Sequence, residues 1–352
     1  MKKIKKVLAV LLTVCLLVSG FCIAVSASGR KTALPTSAGI QALRNEFDSD
    51  VAPKAGGYAL DYCYYSPVGT NDNTKYPLVI FLHGIGHADY AGAQLADSDM
   101  PYWASSELQG RFSEGGAFIL LPRAPEHKLV YWGTSLIEPL RAVIDDMIAK
   151  HGDNIDTSKI FIGGSSAGAE MTWNMIVAFP DYFAGAFPIA ATGTVTAANV
   201  KTCSDVAIWM IASSKDPVIS YIATTQPLWN NVCKYNNQPE NCRLTTLSKV
   251  IEPAGGSASD NHHMAKVVTY DLHMLDGSTY LNATTVDGNG NTVSLVSPNG
   301  MISWMNGVSS AYGGETGSDS GNINVNPLTQ ALDLIRNFFL KIVNIFQRLF
   351  GL

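Results

Sequence analysis

Ile160-Phe161-Ile162-Gly163-Gly164-Ser165-Ser166-Ala167-Gly168, continuing as AEMTWNMIVAF to Phe179, is the stretch from which the rest of the chain can be read. Three apolar residues in a row before a glycine pair read as a short buried strand. The segment from Ala167 to Phe179 reads as a helix, stopped by Pro180. Between them, Gly164–Gly168 fits G-x-S-x-G with Ser166 at its centre. A strand that turns sharply into a helix lifts the central serine onto an exposed elbow, and the flanking glycines let backbones pass where a Cβ would clash. The amide of Ala167, at the helix start, would then face any negative charge developing on an oxygen beside that serine.

Working outward, the same alternation repeats. Tyr58–Tyr65 reads as a strand, and Tyr76–Leu82 (YPLVIFL) and Ala117–Leu121 (AFILL) are continuous apolar runs of the kind buried on both faces. Ser135–Lys150 has helical periodicity through Leu136, Leu140, Val143, Ile144 and Met147. Ala186–Ala190 and Val206–Ala212 are further short strands. Strands alternating with helices imply an α/β fold with a mainly parallel sheet and helices on both faces. The Ala190–Val206 connection is too short for a large lid domain. Thr284–Val286 and Thr292–Leu295 flank Asp287-Gly288-Asn289-Gly290-Asn291, a hairpin signal. That turn is no EF-hand, because Thr292 and Pro298 stand where glycine and glutamate are needed.

A serine at its ordinary pKa needs a base, and the base needs an acid to orient it. Ser213-Ser214-Lys215-Asp216-Pro217 follows a strand, and parallel strands share one carboxyl edge, so Asp216 is the expected acid. Of the seven histidines, only His262, His263 and His273 come after it. Gly255–Asn261 is small and polar, a loop able to reach a cleft. The reading takes His262 as base, with His263 as the alternative and His273 behind both. Gly84-Ile85-Gly86 offers a second oxyanion amide, that of Ile85. Trp103 and Trp132 fall in loops after neighbouring strands, where they either wall a pocket or pack the core.

The ends of the chain differ from its middle. Met1–Lys6 carries four lysines, an apolar run extends to Val25, and Val25-Ser26-Ala27 presents small residues, the order of a cleaved secretory signal over residues 1–27. The alternative is a retained membrane anchor. Residues 28–312 are expected to form the α/β domain, 313–326 a linker (GGETGSDSGNINVN from Gly313), and 327–352 a helix. Within Leu328–Leu349 the polar residues gather on one arc, so the helix is amphipathic. Such a helix can lie on a membrane surface, self-associate, or dock on the body. Arg336, Lys341 and Arg348 against Asp333 give little electrostatic help.

Composition sets the outer bounds. Apolar residues make up 47% and charged ones 15%, enough for a core and unlike a disordered chain. The net charge of −5 becomes more negative once four signal lysines are removed, which excludes a basic nucleic-acid footprint. Past the signal stand Cys63, Cys203, Cys233 and Cys242. Export permits disulfides, and Cys233 with Cys242 is the favoured pair, free thiols being the alternative. No cysteine or histidine spacing suggests a metal.

Together, His83-Gly84 after its strand, Gly164–Gly168, Ser213–Pro217 and a late histidine resemble the α/β-hydrolase superfamily. YWGTSL (Tyr131–Leu136) and FPDYFAGAFPIAA (Phe179–Ala191) are similar to its secreted polyhydroxybutyrate depolymerase, feruloyl esterase and predicted-peptidase branch. The resemblance runs from Tyr58 to Gly307. It implies a secreted serine hydrolase without metal or organic cofactor, acting on small or polymeric esters through Ser166, Asp216 and a histidine. That branch often has Gly-His-x-x-Trp at its base, whereas this chain has Asn261-His262-His263-Met264-Ala265. A peptidase with the same triad, or an envelope protein using the body as a non-catalytic scaffold, are the rival expectations.

Overall fold

Each strand between Tyr76 and Ser213 sends alternate residues to opposite sides of one sheet, and that alternation divides the interior in two. A computed structural model describes residues 37–67, 73–125, 132–191, 195–249, 262–263, 282–294 and 300–310. Nine strands are described: β1 (Asp48–Val51), β2 (Asp61–Tyr65), β3 (Tyr76–Leu82), β4 (Phe118–Pro122), β5 (Ile155–Ser165), β6 (Gly185–Ile189), β7 (Ala207–Ser213), β8 (Arg243–Lys249) and β9 (Asn282–Asp287). They lie in the order β1-β2-β4-β3-β5-β6-β7-β8-β9. From β4 to β8 the neighbours run parallel, while β1, β2 and β9 are antiparallel additions at the edges.

Every residue of β3, β4, β6 and β7 is buried, as a strand covered on both faces requires. Leu78, Ile80 and Leu82 enter one core, and Val79 and Phe81 the other. Ile160 and Ile162 of β5 face the first core and Phe161 the second. Helices cover both. Here α1 is Ser37–Leu43, α2 Ser106–Gln109, α3 Ile137–His151, α4 Ala167–Ala178, α5 Ala197–Thr202, α6 Gln226–Tyr235 and α7 Met301–Gly307. The first core takes Leu140, Val143, Ile144 and Met147 of α3, with Met171 and Trp173 of α4 and Trp229 of α6. The second takes Ile40, Leu108 and Met301, together with Met100 and Trp103 from a 3-10 stretch at Ala93–Ala104.

Sequence and structure differ in places with clear causes. β5 is eleven residues rather than three, since after buried Ile155 its first half (DTSK) is polar and half-buried before the sheet interior begins. β8 (RLTTLSK) carries no apolar run, yet it pairs with β7 and β9 and buries Leu244 and Leu247. In the expected hairpin after β9, a single bridge joins Val286 to Thr292, and Asp287 Oδ1 accepts from the amides of Asn289 and Asn291. Among the described residues the Ala190–Val206 connection carries α5, begun by a Thr196–Asn199 capping box. The Cys233–Cys242 pairing is not formed: all four described cysteines are free thiols. Burial raises Cys63 to about 11 and Cys203 and Cys242 to about 12, so these thiols are inert core residues. The signal segment 1–27, the linker 313–326 and the helix Leu328–Leu349 lie outside the described residues, as does His273. Among the described residues no helix is long and apolar enough to cross a membrane.

Candidate active site

Ser166 is the one residue between Ile160 and Trp173 that is not fully buried. It sits between β5 and α4 with φ 54° and ψ −112°, a conformation that L residues with a side chain avoid. Its amide donates to the carbonyl of Ile189 (2.9 Å), and its carbonyl accepts from Glu170 N (3.2 Å), so the strained turn is held from both sides. The two motif glycines are sterically required. A Cβ on Gly168 would come 2.0 Å from the carbonyl oxygen of Leu82, and one on Gly164 would come 2.6 Å from the Gly168 backbone. Ala167 opens α4, where the first-turn amides have no carbonyl partner inside the helix.

Asp216 lies in the turn after β7 with its carboxylate 2% exposed. Its Oδ1 accepts from the amides of Val218 (2.8 Å) and Ile219 (2.9 Å). Its Oδ2 faces Nδ1 of His263 at 2.8 Å. A carboxylate only accepts, so Nδ1 carries the ring proton and Nε2 is left as the basic nitrogen. His262, the expected base, is not the histidine that meets Asp216: its Nδ1 lies 2.8 Å from Ser213 Oγ. Ser213 Oγ itself donates to Leu247 O. The two histidines part for a simple reason. His262 and His263 form one short 3-10 step, and consecutive side chains on such a step point in different directions, so only one can meet the carboxylate.

The second segment expected to offer an oxyanion amide follows β3. His83 is buried, its Nε2 accepts from Ala124 N (3.1 Å), and its Nδ1 therefore donates to the carbonyl of Gly84 (2.7 Å). Burial lowers its pKa to about 4, which keeps this tautomer neutral. The Gly84 carbonyl and the Ile85 amide belong to one planar trans peptide, so fixing the oxygen also fixes the direction of the Ile85 N–H. The Gly84 amide is already taken, donating to Asp97 Oδ2 at 2.6 Å. Ser165 Oγ donates to the same oxygen at 3.1 Å. Asp97 gave no sequence signal: it lies in an irregular stretch (AQLADSD) with no motif around it.

The two tryptophans are packing residues and not pocket walls, because neither has an exposed face. Trp103 is 0% exposed and stacks on Phe187, with centroids 6.4 Å apart. Trp132 is 2% exposed, and its Nε1 donates to the His83 carbonyl (2.8 Å), bracing the start of the Gly84–Gly86 loop. Among the described residues no group of three or more His, Cys, Asp or Glu is placed to hold a metal ion.

The fold is similar to that of a solved structure of a thermostable esterase. That match has 28% identity and a TM-score of 0.55, covering 65% of this chain and 61% of the other. This chain has the α/β-hydrolase fold. A shorter stretch of this chain is 47% identical over 51 residues to poly(3-hydroxyalkanoate) depolymerase C of Paucimonas lemoignei. The stretch covers 14% of this chain and 12% of the depolymerase. No protein-family model matches the chain. The chain thus spans only a small part of its curated relative and about three-fifths of the esterase.

Proposed function

We propose that this α/β hydrolase cleaves carboxylic esters through an acyl-enzyme, with Ser166 as nucleophile, His263 as base and Asp216 as its orienting acid. The observation that carries the reading is the 2.8 Å contact between His263 Nδ1 and the buried Asp216 carboxylate, which leaves Nε2 basic on the carboxyl edge where Ser166 stands. The esterase and depolymerase likenesses support an ester, small or polymeric, as the substrate class.

In this mechanism Ser166 Oγ attacks the carbonyl carbon while Nε2 of His263 takes its proton. The carbonyl oxygen becomes an oxyanion between the amides of Ile85 and Ala167. The C–O bond to the alcohol then breaks, the alcohol leaving with the proton from Nε2, and water repeats the sequence to release the acid. Asp216 stays ionised throughout and stabilises the imidazolium. The basic and apolar order of Met1–Ala27 supports export, and the amphipathic pattern of Leu328–Leu349 supports a contact with the envelope surface or a second copy.

The test is labelling with a fluorophosphonate probe, read beside hydrolysis of p-nitrophenyl acetate. Both signals should vanish in Ser166→Ala. Labelling that persists in that variant overturns the reading.

A further inference from the structure

We propose that Asp97 is a positioning residue that sets the width of the oxyanion hole by joining its two halves through a single carboxylate oxygen. The inference rests on the proposed acyl-enzyme reading, since it assigns a role within that same site.

The last backbone pairing between β3 and β5 is Leu82 with Gly164. Beyond it the two strands part, one leading to the Ile85 amide and the other to Ser166 and Ala167. Asp97 Oδ2 supplies the next connection. It accepts the amide of Gly84 at 2.6 Å from one side and the hydroxyl of Ser165 at 3.1 Å from the other. Gly84 directly precedes Ile85, and Ser165 directly precedes the nucleophile. Besides the packing of Gly168 on the end of β3, the separation of the two proposed donors therefore depends on one atom that touches neither of them.

Asp97 is itself held firmly. Its carboxylate is fully buried, and the 3-10 stretch that carries it is anchored by Met100 and Trp103 in the second core. His87 Nδ1 approaches Oδ2 at 3.9 Å. A buried carboxylate costs free energy unless its lone pairs are filled. Here the two hydrogen bonds to Oδ2 come from the two segments whose spacing the oxyanion would sense. By accepting the Gly84 amide, Asp97 also withdraws that donor from the hole and leaves the Ile85 amide to serve.

Donors misplaced by a fraction of an ångström bind a tetrahedral oxyanion worse than they bind a planar ester. The readout is thus kcat and KM for p-nitrophenyl acetate, with the inhibition constant of phenylboronic acid, which forms a tetrahedral adduct on a serine. In the full chain, Asp97→Ala should lower kcat by about 10- to 100-fold, leave KM within about threefold, and weaken boronate inhibition by the same factor as kcat. Asp97→Asn keeps a carbonyl oxygen able to accept both bonds and should retain kcat within about fivefold. Ser165→Ala cuts only one tie and should lower kcat by about three- to tenfold; it also serves as the test if Asp97→Ala does not fold.

A kcat unchanged in Asp97→Ala or Ser165→Ala, or a loss confined to KM, overturns the proposal, as does equal damage from Asn and Ala. Ser166→Ala, assayed alongside, separates the two levels. Turnover surviving in that variant removes the acyl-enzyme reading itself. An inactive Ser166→Ala beside unaffected Asp97 and Ser165 variants removes the positioning role alone.

Discussion

Asp216 and His263 meet carboxylate to imidazole at 2.8 Å, while the neighbouring His262 turns back to the hydroxyl of Ser213. Two adjacent histidines are thus held by one turn, the first against its opening residue and the second against its acid. His263→Ala should lower kcat on p-nitrophenyl acetate by about 10⁴-fold, and Asp216→Asn by a comparable amount. His262→Ala should cost about tenfold or less, because it removes a brace and not the base. Steady-state kinetics decide, and a larger loss from His262 than from His263 would reverse the assignment.

The positive φ of Ser166 predicts a trade between activity and stability. Glycine adopts this backbone without the steric penalty that any Cβ incurs. Ser166→Gly should be inactive yet more stable than Ser166→Ala by about 1 kcal/mol. Urea unfolding of the two inactive variants measures the difference, and equal midpoints would mean that the turn holds no strain.

Buried His83 predicts a slope of stability with pH. Unfolded, its imidazole takes a proton near 6.5; folded, it resists until about 4. Between those values the unfolded chain binds more protons, so the contribution is complete above about pH 6.5. It declines as pH falls toward 4, by on the order of 3 kcal/mol at most. In His83→Gln this part of the slope should disappear. Unfolding free energies at pH 7.5 and 4.5 for both proteins test it, and an unchanged slope refutes it.

The contact between Gly168 and the Leu82 carbonyl predicts that even a methyl group is too much. Gly168→Ala places a Cβ 2.0 Å from a backbone oxygen of the central sheet. The expected cost is about 3 kcal/mol or more, because strand β3 or helix α4 must move. Thermal melting should show a marked drop, and a melting temperature within about 2 °C of the parent would contradict the packing.

Four free thiols predict a specific labelling pattern. In a chain beginning after Ala27, a thiol reagent should titrate four cysteines in denaturant. In the native state the half-buried Cys233 should react first, with Cys63, Cys203 and Cys242 protected. Two titratable thiols in denaturant would show a disulfide instead.

The parts of the sheet that were legible in the sequence were those with an unbroken apolar run or a punctuated turn. YPLVIFL, VAIWMIA and the Gly164–Gly168 elbow each announce themselves because burial on both faces, or a glycine-dependent crossing, leaves few residue choices. β1 and β8 do not, since an edge position or one polar face admits Asp, Thr and Ser. Asp216 could be placed by its position after a strand, whereas the choice between His262 and His263 depends on a side-chain direction that no spacing encodes. Asp97 was invisible for a related reason. Its partners are a backbone amide and a serine 13 and 68 residues away, brought to it only by the completed sheet.

The division of β3 between two interiors has a consequence for how this scaffold can diversify. Deleting or inserting one residue within Tyr76–Leu82 would exchange the contents of both cores at once and slide Ile85 past Ser166. Changes in length must therefore fall beyond the strand tips, in the segments that a substrate meets first. New specificities can accumulate there while the machinery beneath them stays in register.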